Sequence, residues 1–161
     1  MKIKTFTSTF HVYAFEELDP ADQALITAAQ VATKGSYAPY SQFRVGAAAR
    51  LADGTIVTGN NQENAAYPSG LCAERTTLFY ANAQFPHQSV TTLAVAARNA
   101  AGFLARPIPP CGACRQVMLE VEQRFARPLR ILLYGREEIY ICDSISHLLP
   151  LSFGSETLTT P

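Results

Sequence analysis

Charge is scarce in this sequence. Charged residues make up 16% of its 161 positions, against about 25% in a typical soluble domain. Thirteen Lys and Arg are matched by thirteen Asp and Glu, so the formal net charge is zero. A chain without surplus positive charge is not built to neutralise many phosphates, which argues against a nucleic-acid-binding role. Sparse charge also predicts that some surface is hidden against copies of the same chain. No apolar run approaches the roughly 18 residues of a membrane span. Met1 to Phe10 alternates threonine with apolar residues and holds no secretory apolar block. There is no Asn-x-Ser/Thr site, repeat, low-complexity tract or Ser- or Gly-rich linker. A single cytoplasmic domain is the expectation, with a core large enough to need no staples. In a reducing compartment, the four cysteines point to metal or catalysis rather than to disulfides.

Residues 1–18 read as an extended arm in which Phe6, Phe10, Val12 and Phe15 are available for packing. The domain proper, 19–161, opens on Asp19-Pro20-Ala21-Asp22. Here an N-cap carboxylate, a proline at the first helical position and an acidic first turn all announce a helix. Its apolar face is Leu25, Ile26, Ala29 and Val31, and Gly35 is its stop. Phe43 to Leu51 and Thr55 to Gly59 flank Asp53-Gly54 as a hairpin. Asn60 to Gly70 is a loop, Cys72 to Gln84 a helix and Val90 to Ala97 a buried strand. The prolines of Pro107 to Pro110 precede a helix from Cys111 to Phe125. Strands at Leu129 to Tyr134 and Glu138 to Ile141 follow, then a short helix ending near Leu149-Pro150. Helices alternating with apolar strands predict an α/β chain folded as a three-layer α/β/α sandwich around a mixed five-stranded sheet.

Three cysteines and one glutamate carry the chemistry. Cys111-Gly-Ala-Cys114 is a C-x-x-C pair, and Cys72-Ala73-Glu74 lies upstream. Each group falls at the first turn of a predicted helix, where free N–H groups favour anions. Two such ends facing each other could hold three thiolates around zinc, and three protein ligands leave an open position for water. Glu74 is close enough to approach that water without ligating the metal, and so to shuttle protons. Three thiolates acidify water less well than imidazoles, so Arg75 is placed to compensate by hydrogen-bonding sulfur. Read alone, the C-x-x-C pair also admits a redox or structural-zinc role. Cys142, in Ile-Tyr-Ile-Cys, reads as a small hydrophobe, and His11, His87 and His147 lack ligand spacing.

At Cys-Ala-Glu-Arg and Pro-Cys-Gly-Ala-Cys-Arg-Gln the sequence resembles the small, homotetrameric cytidine deaminases, in the branch whose first ligand is cysteine rather than histidine. The similarity extends over Tyr37-Ala-Pro-Tyr-Ser-Gln-Phe43-Arg-Val-Gly-Ala, Gly59-Asn-Asn-Gln-Glu63-Asn-Ala-Ala-Tyr67-Pro and Leu148-Leu-Pro-Leu-Ser-Phe153-Gly, so that it spans 20–155. The resemblance implies one zinc per subunit on Cys72, Cys111 and Cys114, with Glu74 as the proton shuttle. It implies that Asn61 and Glu63 hold the sugar hydroxyls, Phe43 lies against the base and the Ala73 backbone helps recognise the pyrimidine. Tyr67 and Phe153 match residues that complete a neighbouring subunit's pocket. The activity implied is hydrolytic deamination of cytidine and 2′-deoxycytidine in pyrimidine salvage, by a homotetramer with shared active sites. The arm lies outside the resemblance.

Elementary chemistry is consistent with those roles without requiring them. Asn donates and accepts, Glu accepts, and residues two apart on an extended segment point the same way, which suits a polyol. The same pair could simply make Asx-type turns, and Phe43 could be ordinary core. Arg124, Arg127, Arg130 and Arg136 interleave with Glu120, Glu122, Glu137 and Glu138, as on a solvated mixed face. The competing substrates are a nucleoside antibiotic such as blasticidin S, a nucleotide or a polynucleotide. A non-catalytic zinc scaffold is the competing class, and it leaves Glu74 without a task.

Overall fold

The computed structural model describes residues 1–159. Its centre is a seven-stranded mixed sheet in which six strands run in the order β1-β7-β6-β4-β2-β3, with β5 paired to β4. The long strands are β2 (Arg44–Leu51) and β4 (Val90–Asn99), flanked by β3 (Ile56–Asn60), β6 (Arg130–Tyr134) and β7 (Ile139–Cys142). Pairing is antiparallel except between β4 and β6, which run parallel. A parallel pair needs a crossover, and α3 (Gly112–Phe125) supplies it.

The three layers are those expected. Alternation along the strands divides their side chains between two cores. Val45, Ala47, Ala49, Leu93, Val95, Ile131 and Leu133 face α2 (Ala73–Gln84) and α3, while Ala48, Ala94, Ala96 and Leu132 face α1 (Pro20–Ala32). Runs of alanine in β2 and β4 let helices approach closely. At Gly46 an added Cβ would stand 2.2 Å from the Ala29 carbonyl oxygen. Asp19 caps α1 by accepting from the Asp22 N–H at 2.9 Å, and Pro20 occupies its first position, as the opening residues predict. Asp22 is itself buried. It accepts hydrogen bonds from Arg50 of β2, at 2.9 Å, and from Arg130 of β6, tying α1 to both strands.

The sheet corrects the expectation of five strands. The sixth and seventh are β1 (His11–Tyr13), antiparallel to β7, and the two-residue β5 (Gly102–Phe103). β1 comes from the arm, so residues 11–18 are not a free extension. Phe10 packs into the first core, Tyr13 and Phe15 into the second, and Leu18 is buried. Val12 remains exposed, because only one face of so short an edge strand meets the core, and Phe6, ahead of the strand, is exposed as well. The short helix expected before Pro150 is a single 3-10 turn, Ile145–His147, and a further short helix, α4 (Ser155–Thr159), lies beyond it.

Candidate active site

Both cysteine motifs fall at helix starts, one position earlier than a first turn: Cys72 is the N-cap of α2 and Cys111 the N-cap of α3. Both take extended backbone angles, and neither side chain makes the hydrogen bond that an N-cap usually provides. Cys114 lies in the first turn of α3 and is fully buried. The two helix ends converge: Sγ of Cys111 is 3.8 Å from that of Cys72 and 3.4 Å from that of Cys114, and all three lie within 4.8 Å of one another.

That cluster fits a tetrahedral zinc ion, whose sulfur ligands at about 2.3 Å stand about 3.8 Å apart. The Cys72 thiol is lowered to about 5, chiefly because Cys114 shares a hydrogen bond with it, with further help from the nearby Arg75. The same shared proton and its burial push the Cys114 thiol up. Arg75 keeps a buried Nε–H with no hydrogen-bond partner among the described residues, a cationic donor beside sulfurs that metal binding deprotonates. Cys142 lies apart, buried at the end of β7, with its thiol pushed up to about 12 by burial. It has the inert character expected of it.

Above the sulfurs opens a cavity of about 680 Å³, within the range of small-molecule sites. Cys72, Cys111, Glu74, Arg75, Phe43, Asn61, Glu63 and Tyr67 line it. Glu74 is 4% exposed, and burial, with the charge of Cys72, raises its pKa above the ordinary carboxylate range. Ala73 is fully buried in the first position of α2, between two cavity-lining residues but not itself among them. Phe153 is exposed and stands outside this cavity.

Asn61 and Glu63 occupy an extended segment that threads between two loops. Tyr37 N–H donates to the Asn61 carbonyl at 3.1 Å, and Glu63 N–H to the Tyr37 carbonyl at 2.9 Å. Asn61 is already heavily engaged: its Oδ1 accepts from Val45 N–H at 2.8 Å and from Ser36 Oγ, and its Nδ2 donates to the Phe43 carbonyl at 2.9 Å. One N–H of that amide is left for a ligand. Glu63 accepts from the Tyr40 and Ser41 N–H groups, at 2.9 and 3.2 Å, and from Ser41 Oγ. Those donors hold its carboxyl below the usual range. The pair thus shapes the cavity as well as lining it.

Tyr40, Ser41, Leu71, Ile108 and Pro109 also line the cavity and were not singled out from the sequence. Two signals could have found four of them. Tyr40 and Ser41 sit inside the Tyr37-to-Phe43 motif, and Ile108-Pro109 immediately precedes the Pro-Cys pair.

Residues 19–126 match the model of the family described as "Cytidine and deoxycytidylate deaminase zinc-binding region". A cytidine deaminase of Halalkalibacterium halodurans is 42% identical over 137 residues, covering 84% of this chain and 96% of that protein. The crystal structure of cytidine deaminase from Burkholderia pseudomallei superposes with a TM-score of 0.71 at 41% identity, covering 81% of this chain and 97% of that one. For the cytidine deaminase structure from Mycobacterium tuberculosis the TM-score is 0.65 at 32% identity, with 84% and 99% covered. The chain belongs to the zinc-dependent cytidine and deoxycytidylate deaminase family.

Proposed function

We propose that the protein hydrolyses cytidine and 2′-deoxycytidine to uridine and 2′-deoxyuridine, releasing ammonia. The observation that carries this reading is a buried carboxylate two residues from one thiolate of a three-sulfur cluster, at the floor of a nucleoside-sized cavity.

Cys72, Cys111 and Cys114 would hold the zinc ion, which supplies an acidified water as nucleophile at neutral pH. Glu74 accepts a proton from the attacking water and delivers it to ring N3, which makes C4 electrophilic. The water oxygen bonds to C4 in that step, and Glu74 then moves the remaining hydroxyl proton to the amino group, which leaves as ammonia while the C4 carbonyl forms. A carboxylate of raised pKa suits both directions of transfer. Arg75 offsets the negative charge of the sulfurs. Phe43 presents an aromatic face to the base, and the Ala73 backbone contributes to pyrimidine recognition. Asn61 and Glu63 receive the sugar hydroxyls, and the charge of Glu63 disfavours a phosphate there.

We assign residues 19–161 to the catalytic domain and 1–18 to an arm. The family match beginning at residue 19 supports this division. We further infer a homotetramer in which Phe153, exposed and outside its own subunit's cavity, finishes a neighbouring pocket; Tyr67, also exposed, lines its own subunit's cavity and would meet the neighbour there. A cytoplasmic setting fits four free cysteines and a set of described helices none of which is long and apolar enough to cross a membrane.

The test is ultraviolet-monitored turnover of cytidine, 2′-deoxycytidine, cytidine monophosphate, adenosine and blasticidin S, with zinc measured on the same sample. Rapid loss of the two pyrimidine nucleosides alone is the expected result. Equal turnover of cytidine and its monophosphate would contradict the role of Glu63, and stoichiometric zinc without ammonia release would leave a scaffold instead of an enzyme.

A further inference from the structure

Arg115 follows the last sulfur ligand directly, yet its side chain turns away from the cavity and bridges two backbone carbonyls. Its Nε–H donates to the Pro110 carbonyl at 2.8 Å, and its Nη1–H donates to the Leu148 carbonyl at 2.7 Å. The first acceptor belongs to the residue immediately before Cys111. The second closes the 3-10 turn Ile145–His147.

Apolar packing, with Ile108 against the core and Pro110 buried, holds this stretch in place, but few hydrogen bonds do. Residues 107–110 include three prolines, which donate no N–H. Among the described residues this stretch makes no backbone–backbone hydrogen bond. It nonetheless carries a cavity wall, Ile108 and Pro109, and leads into the exposed ligand Cys111. The Pro110 carbonyl and the Cys111 N–H share one rigid peptide plane, so a donor that fixes the carbonyl also fixes the direction from which Cys111 leaves. A guanidinium presents its N–H groups in a planar fork, whereas an ammonium on a flexible stem cannot hold two carbonyls at a set spacing.

We propose that Arg115 is a positioning residue for the metal: by bracing the Pro110–Cys111 peptide against the C-terminal turn, it sets the Cys111 sulfur relative to Cys72 and Cys114. The proposal rests on the zinc reading above. It assigns to a backbone brace part of the ligand geometry that the cysteines alone leave open.

The test uses the full-length chain and its Arg115→Lys, Arg115→Met and Gln123→Ala variants, loaded with zinc and mixed with an excess of a chromogenic chelator. The sulfur-to-metal absorption of the cobalt-substituted proteins is recorded alongside. Both Arg115 variants are expected to release zinc at least about tenfold faster than the parent, the lower end of what residues that orient ligands contribute, and to shift the cobalt spectrum. Gln123 bonds Ser155 and Glu156 farther along α3. Its alanine variant loosens the tie between α3 and α4, farther along the C-terminal stretch than the turn that Arg115 grips, and should release zinc at the parental rate. Parental release from both Arg115 variants overturns the proposal. So does equal acceleration in Gln123→Ala, which would mark general loosening. If Arg115→Met does not fold, Arg115→Lys, which keeps the stem and the charge, decides alone. Metal analysis of the parent separates the two readings: a parent that holds no zinc overturns both, whereas a zinc-bearing parent with unaltered variants overturns only the brace.

Discussion

Glu74 and Asn61 illustrate two ways in which one side chain can matter to a site. Glu74→Gln keeps the length of the side chain and its hydrogen-bonding capacity, so it should keep zinc and structure while losing at least about a hundredfold in turnover, the lower end of general acid–base contributions. Near-normal turnover in that variant would remove it from the mechanism. Asn61 holds Val45, Ser36 and Phe43 in place. Asn61→Ala should therefore raise KM and also destabilise the fold by about 1–3 kcal/mol, the cost of leaving part-buried partners unsatisfied. Urea unfolding read beside the kinetics checks both halves. The three-cysteine cluster was legible because Cys72, Cys111 and Cys114 stand at helix-start signals inside two motifs that the family resemblance singles out. The double duty of Asn61 was not legible, since its partners are backbone groups brought near by a hairpin and a loop. Arg115 was hidden for the same reason: one of its acceptors is a carbonyl 33 residues away.

At the level of elements, α1 is fastened to the sheet by a buried carboxylate as well as by its apolar face. Asp22→Ala removes the shared partner of Arg50 and Arg130, and breaking a buried pair in this way costs about 3–5 kcal/mol when the remaining charge stays buried. Both arginines keep some contact with water, so a loss of about 1–3 kcal/mol is expected, with kcat unchanged. Thermal unfolding and single-substrate kinetics on one preparation check this. Gly46→Ala should cost more than its size suggests, about 1–3 kcal/mol or above, because its Cβ would collide with the backbone of α1. The five longer strands and three longer helices could be read from period and punctuation. β1 and β5 could not. A three-residue edge strand with two exposed positions has no period to detect, and β5, only two residues long, exists because β4 runs past the end of β6 and offers an edge there.

Taken whole, the molecule presents exposed aromatic residues: Tyr67, Phe79 and Tyr80 on and near α2, and Phe153 toward the C-terminus. On a chain so poor in charge, these fit the inferred tetramer. Sedimentation should give four times the mass of the chain, and Phe153→Ala should raise KM through a pocket that its own subunit does not line. A fully active monomer would undo both expectations. The uncapped starts of α2 and α3 carry one last consequence. An ion joining Cys72 to Cys111 ties together points 39 residues apart, and so acts as a reversible crosslink that narrows the unfolded ensemble much as a disulfide does. Unlike a disulfide, its strength follows mass action: each tenfold rise in free zinc above the dissociation constant should add about 1.4 kcal/mol to folding stability. Melting temperature should therefore climb with the logarithm of free zinc and fall under chelation. For this protein, resistance to heat becomes a readout of how much metal its surroundings supply.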